Sequence, residues 1–240
     1  MKIIAVIPAR YASSRLEAKP LQMLGSKTLI QRVYDAVLHT NLFSEVIIAT
    51  DNKLIFEHAA SFNANVKMTS DKHQSGSDRI AEVCEMIDCD IVVNVQGDEP
   101  FISKPPLQDL ISAFNDPSVQ VASLMHQIHD LEDIQNPNNV KVITDINSDA
   151  IYFSRSVIPY QRNIIPELAY YKHIGVYAYR KDTLLNFVKT PQSLLEKTES
   201  LEQLRLIDNA VKIKMIKTEY QAIGIDTPED LIKARSILND

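Results

Sequence analysis

Short apolar runs alternate with segments of helical periodicity through the first half of the chain, and this alternation constrains the fold more than any other feature. Ile3–Ile7 reads as a strand buried on both faces, and Leu29, Ile30, Val33, Val37 and Leu38 then recur at helical spacing. Glu45–Thr50 forms the next strand, followed by a helix through Ile55 and Ala59. A third helix carries Ile80, Val83, Cys84 and Ile87, with Ser77 as its expected cap, and leads to the buried strand Asp90–Val95. Ser103, Pro105 and Pro106 begin a further helix, and Val119–Met125 returns to strand. A βαβα rhythm of this kind predicts an α/β fold: a mostly parallel, Rossmann-like sheet with helices on both faces.

The rhythm then changes. Val140–Thr144 and Ala150–Phe153 flank the turn-forming stretch Asp145–Asp149, which predicts a hairpin, and Tyr170–Tyr179 is an aromatic-rich strand. The chain closes with a helix capped by Thr198 through Leu201, Leu204 and Ile207, a strand at Val211–Ile216, and a helix begun by Thr227-Pro228-Glu229-Asp230. The simplest division is one domain over residues 1–240 with an antiparallel insert near 126–180.

Bulk properties exclude several classes. Of the 240 residues, 45% are apolar and 23% charged, so a packed core is expected. The net charge of −6 disfavours nucleic acid and anionic membranes as partners. The longest apolar run, Ile3–Ile7, is far below the ~20 residues of a membrane-spanning helix, and a cytoplasmic protein is expected. Cys84 and Cys89 lack nearby paired histidines and read as reduced, semi-buried thiols.

Ligands of open α/β sheets sit beyond the carboxyl ends of the strands, so the strand-end loops carry the candidate chemistry. Directly after the first strand, Arg10, Arg15 and Lys19 lie on one short segment, with Ser13 and Ser14 between the arginines. Three cations suit a triphosphate, and arginine adds forked donors for phosphate oxygens. A solvated basic loop is the plainer alternative. Gly25-Ser-Lys-Thr28 resembles a phosphate loop only superficially, because the glycine needed five positions earlier is Pro20.

After Asp90–Val95 comes Gln96-Gly-Asp-Glu99, where Asp98 is a candidate Mg²⁺ ligand or part of a polar turn. Asp226, just ahead of the last helix, either complements the helix dipole or supplies a second metal ligand. His73-Gln-Ser-Gly-Ser-Asp-Arg79 enters a helix and can present backbone N–H groups to an anion, or simply cap the helix. Arg155 and His173 suit an acidic substrate or ordinary structural roles, and Glu202 is open to either reading.

Taken together the segments resemble the 3-deoxy-D-manno-octulosonate (Kdo) cytidylyltransferases, or CMP-Kdo synthetases. The matching blocks are IPARYASSRL with KPL, ATD, HQSGSDRIAE, VNVQGDEP, NPNNVKV, YFSRSVIPY, YKHIGVYAYR, LEQLRL and GIDTPEDL, in order from residue 7 to 231. The resemblance implies a nucleotidyltransferase fold and transfer of CMP from CTP to Kdo, with pyrophosphate released, for lipopolysaccharide synthesis. Relatives acting on 8-amino-Kdo or sialic acid, a metal-dependent glycosyltransferase and a non-catalytic nucleotide-binding module are the competing readings.

The resemblance also implies roles. Arg10, Arg15 and Lys19, with Ala9 and Ser14 in the same loop, would hold the triphosphate. Gly76, Arg79 and Gln96 would read the cytidine. Asp98 and Asp226 would hold Mg²⁺ and, with Lys19, form the catalytic set. Arg155, His173, Glu202 and Gln203 would bind the acidic sugar, and the 126–180 insert would form a homodimer interface. One departure stands out: Glu17-Ala18 replaces the family's usual Pro-Gly before Lys19. Glycine adopts positive φ cheaply and alanine does not.

Overall fold

The structure, a computed structural model, describes residues 1–11 and 16–238. The chain divides into two compact units, Met1–Leu107 with Ala222–Asp240, and Gln108–Gln221.

The first unit runs β1 (Ile3–Ala9), the two-residue strands β2 (Met23–Leu24) and β3 (Lys27–Thr28), α1 (Leu29–His39), β4 (Glu45–Thr50), α2 (Lys53–Ser61), β5 (Val66–Met68), α3 (Gly76–Met86), β6 (Ile91–Asn94) and α4 (Lys104–Ser112), the last crossing into the second unit. Its strands lie in the order β6-β1-β4-β5, all parallel, with Ile4 opposite both Glu45 and Val92. Ile4–Ile7, Ile47–Ala49 and Ile91–Val93 are fully buried, which is why these strands read as unbroken apolar runs rather than as an alternation. On α1, Leu29, Ile30, Val33, Tyr34 and Val37 face the core, and the Thr28 side chain accepts from the Gln31 N–H to start the helix.

The expected cap of α3 is corrected. Ser75, not Ser77, begins it: the Ser75 side chain accepts from the Asp78 N–H and the Asp78 carboxylate accepts from the Ser75 N–H, a reciprocal capping box. Ser77 is buried within the first turn. Gly25, at φ 65, turns β2 into β3, so the Gly25–Thr28 stretch makes a tight hairpin and no phosphate loop.

The second unit holds β7 (Val121–Ile128), α5 (Leu131–Gln135), β8 (Lys141–Thr144), β9 (Ala150–Ser154), β10 (Tyr170–Arg180), α6 (Lys181–Phe187), α7 (Leu194–Glu199), α8 (Leu204–Asp208) and β11 (Ile213–Lys217). β7 pairs antiparallel with β10 and parallel with β11, and β8 pairs antiparallel with β9 and β10. The predicted hairpin is present: the Asp145 N–H donates to the Asp149 carbonyl at its turn.

The single helix expected from Thr198 through Ile207 is two. Ser193 and Glu196 cap α7, and the chain leaves it through Ser200 in a left-handed conformation at φ 53 before α8 begins. The two are joined by a bidentate pair: Arg205 donates from Nη2 to Glu196 Oε1 at 2.6 Å and from Nε to Oε2 at 2.8 Å. Finally α9 (Pro228–Ile237) returns the chain to the first unit, capped by Thr227 and Asp230 as its sequence predicts.

Candidate active site

The carboxyl end of β1, the loop after β6, the start of α3 and the residue before α9 enclose a pocket of about 410 Å³ in the first unit. Pro8, Ala9 and Arg10 come from β1 and its end, Lys19 and Pro20 from the short 3₁₀ turn, and His73–Gly76 and Arg79 from α3 and its approach. Gln96, Gly97 and Asp98 follow β6, and Asp226 precedes α9. Of the predicted nucleotide and catalytic residues, Ala9, Arg10, Lys19, Gly76, Arg79, Gln96, Asp98 and Asp226 therefore share one pocket. Ser14 and Arg15 lie outside the described residues.

Gly97 lets the loops close: a Cβ there would stand 3.0 Å from the Pro8 carbonyl oxygen. Sequence reasoning passed over Gly97, Pro8, Pro20, Gln74 and Ser75 as lining residues. For Ser75 a signal existed, since Ser-x-x-Asp ahead of an apolar-periodic run is a capping box and sets which residues form the rim.

Lys19 and the two aspartates form the charged centre. Lys19 Nζ lies 2.7 Å from Asp98 Oδ2 and 3.0 Å from Asp226 Oδ1. Burial lowers the ammonium's pKa, but Asp98 and then Asp226 outweigh it and hold Lys19 above the ordinary lysine value. The main chain also joins the aspartates, because the Ile225 N–H donates to the Asp98 carbonyl at 3.1 Å. Asp230 takes the capping role, accepting from the Asp226 and Thr227 N–H groups, while the Asp226 carboxylate faces Lys19.

Two carboxylates converging on one cation position suit a hard divalent ion such as Mg²⁺, which takes one or two protein carboxylates and completes its shell with phosphate and water. No group of three or more potential metal-binding side chains exists among the described residues. The donor set therefore fits a metal carried with a phosphate better than a metal held by protein alone.

The remaining polar groups are braced. Arg79 is buried and donates to Asp51 Oδ2 at 2.6 Å and to Thr69 Oγ1, so Asp51, directly after β4, and Thr69 fix the guanidinium that lines the pocket. His73 Nε2 lies 2.5 Å from Glu82 Oε2. Burial pushes the Glu82 carboxyl up, but the Ser70 N–H and then His73 outweigh it and leave it below the usual glutamate range. Gln96 Nε2 is 3.4 Å from Asn94 Oδ1.

The predicted sugar-binding residues are in the second unit. Arg155 donates from Nε to the Glu199 carbonyl at 2.8 Å and from Nη1 to the Pro137 carbonyl at 3.1 Å, and its N–H donates to Glu199 Oε2. Glu202 Oε1 is 3.5 Å from Arg205 Nη2. Gln203 Nε2 is buried with no hydrogen-bond partner among the described residues. His173 packs between Phe153 and Tyr177, with Nε2 3.1 Å from Ser123 Oγ. Burial, with a smaller contribution from Lys172, pushes its pKa down to about 3, so the ring is neutral near pH 7 and offers hydrogen bonds rather than charge.

Parallel strands, cations at the end of the first strand and two converging aspartates, one after β6 and one before α9, define an α/β nucleotidyltransferase. A family model described as cytidylyltransferase matches residues 4–213. A 3-deoxy-manno-octulosonate cytidylyltransferase from Flavobacterium johnsoniae is 52% identical over 100% of both chains. Its counterpart from Christiangramia forsetii is 46% identical over 99% of this chain and 97% of its own. A solved structure of CMP:2-keto-3-deoxy-manno-octonic acid synthetase complexed with CTP superposes with a TM-score of 0.95 at 41% identity, covering 99% of this chain and 98% of that one. The chain belongs to the 3-deoxy-manno-octulosonate cytidylyltransferase family.

Proposed function

We propose that the protein transfers CMP from CTP to Kdo, giving CMP-Kdo and pyrophosphate for lipopolysaccharide synthesis. The observation that carries this reading is the convergence of Lys19, Arg10, Asp98 and Asp226 on one pocket with Arg79 and Gln96 at the start of α3 and after β6. The relatives named for this reaction, and the CTP complex of the similar structure, support it.

Arg10 and Lys19 bind the triphosphate. Arg79, fixed by Asp51 and Thr69, and Gln96, beside Asn94, orient the cytidine. The anomeric hydroxyl of Kdo attacks the α-phosphorus as the bond to pyrophosphate breaks on the opposite side. Such transfers depend on positioning and charge neutralisation, and no covalent bond to the protein forms. Asp98 and Asp226 would hold Mg²⁺, which when bound supplies positive charge for the attacking and leaving oxygens. Lys19 adds positive charge on the pyrophosphate side. Arg155, neutral His173, Glu202 and the open donor of Gln203 bind the sugar acid. The protein works in the cytoplasm, where CTP is made, and as a homodimer through the 126–180 region.

Pyrophosphate release from CTP and Mg²⁺, measured across Kdo, 8-amino-Kdo and sialic acid, tests the reading. Release is expected with Kdo and is expected to vanish in Asp98→Ala with the fold intact by circular dichroism. Folded wild-type protein that releases none with any of the three sugars would disprove the transferase reading.

A further inference from the structure

The carboxylates read as metal ligands are occupied by a lysine of the same chain. Lys19 Nζ reaches an oxygen of each, at 2.7 Å and 3.0 Å, and so lies between the two carboxylates that would hold the metal. An ammonium and a dication compete for that position: their charges repel, and Lys19 already takes one oxygen of each carboxylate. Metal–oxygen distances for Mg²⁺ are about 2.0–2.1 Å, which leaves no room for an intervening N–H.

Lys19 is also a residue of the first loop, where the pocket's other anion, the triphosphate, would bind. Its backbone is fixed in the 3₁₀ turn between Ala18 and Pro20, but four side-chain methylenes separate Nζ from that turn. The ammonium can change partners without moving the main chain. A triphosphate offers it a more negative partner than the two carboxylates do.

We propose that Lys19 is a built-in counter-cation that closes the Asp98–Asp226 pair when nucleotide is absent and passes to the triphosphate when CTP binds, so that the pair accepts a divalent ion only together with nucleotide. The proposal rests on Asp98 and Asp226 being the metal pair. It gives Lys19 a second task, coupling nucleotide binding to metal binding. The coupling is reciprocal, so metal raises nucleotide affinity by the same factor.

Mn²⁺ binding followed by electron paramagnetic resonance tests this, in wild type and Lys19→Met, with and without a non-reactive CTP analogue. Asp98→Asn serves to identify Mn²⁺ bound by the analogue alone. Without nucleotide, Lys19→Met is expected to bind Mn²⁺ about tenfold more tightly than wild type, a difference of roughly 1.4 kcal/mol. The analogue is expected to raise wild-type affinity by a larger factor than it raises that of the variant. Lys19→Gln keeps an uncharged donor in place and carries the same expectation if Lys19→Met folds poorly. Equal or weaker Mn²⁺ binding by both variants without nucleotide, with Asp98-dependent binding intact in the wild-type analogue complex, overturns the counter-cation and leaves the metal pair standing. Absence of any Asp98-dependent Mn²⁺ binding, even with the analogue, overturns both.

Discussion

At the scale of single residues, the most informative position is Ala18, where the resemblance leads to the expectation of a glycine. Ala18 sits at φ 48 and ψ 36, in the left-handed region, and its carbonyl accepts from the Leu21 N–H at 2.8 Å. An L-residue there costs roughly 1–2 kcal/mol. Glycine escapes that cost but loses about 0.4–1 kcal/mol through a freer unfolded chain. Ala18→Gly should therefore raise stability by about 0.5–1 kcal/mol, read as a higher urea midpoint at unchanged slope; a lower midpoint would show that the loop does not hold this conformation in solution. His173 gives a pH signature. Its folded pKa of about 3 lies below the unfolded 6.5, so the unfolded chain takes up the proton first as pH falls. Its contribution is constant above pH 6.5 and turns against the fold between 6.5 and 3, by about 1.4 kcal/mol per pH unit. Unfolding free energies from urea titrations at pH 7.5 and 5.0 should differ by about 2 kcal/mol less in His173→Gln than in wild type, and equal losses in both proteins would contradict the lowered His173 pKa.

At the scale of elements, what the sequence made legible followed from burial. β1, β4 and β6 are covered on both faces, so each leaves an unbroken apolar run and a polar loop at its end, and the loops after β1 and β6 line the pocket while Asp51, after β4, braces it through Arg79. Helix starts were harder, because two serines stand close together and the reciprocal capping box depends on the residue three on: Asp78 follows Ser75 at that spacing, and Ile80 follows Ser77. The split of α7 from α8 was not legible, since apolar spacing continues across it, and the break lies in backbone geometry at Ser200 and in the pairing of Glu196 with Arg205. That pair is almost wholly buried, with both side chains 6% exposed, and Arg205 also lies 4.7 Å over the Phe187 ring. Removing one partner of a buried pair costs about 3–5 kcal/mol, and after loss of Glu196 the guanidinium is left with the longer contact with Glu202 as an ion pair. Glu196→Ala should lose stability on that scale in urea unfolding, and replacement of both residues by apolar ones should recover much of it. A loss below about 1 kcal/mol, the range of an exposed pair, would mean that the two helices are held by apolar packing alone.

At the scale of the whole molecule, the proposed homodimer finds its support in the segment between β9 and β10. Tyr160 and Ile164 are 86% and 93% exposed, with Val157 and Ile165 beside them in sequence and also exposed. Isolated apolar residues on a surface need no explanation, but several large ones on one connecting segment are the composition expected of a surface covered by a partner. The same segment falls within the 126–180 region that the family resemblance assigns to the interface, and it follows directly on Arg155, one of the proposed sugar-binding residues. Dimer formation and sugar binding should therefore be coupled. Sedimentation velocity is expected to give a dimer for wild type at micromolar concentration and a monomer for Ile164→Asp, because a carboxylate placed in an apolar interface is desolvated without a partner. The monomer should keep its affinity for CTP, whose proposed ligands all lie in the first unit, and should use Kdo less well, seen as a raised KM for the sugar. A wild-type monomer would remove the interface, and an Ile164→Asp monomer with unchanged Kdo kinetics would keep the interface but separate it from the site.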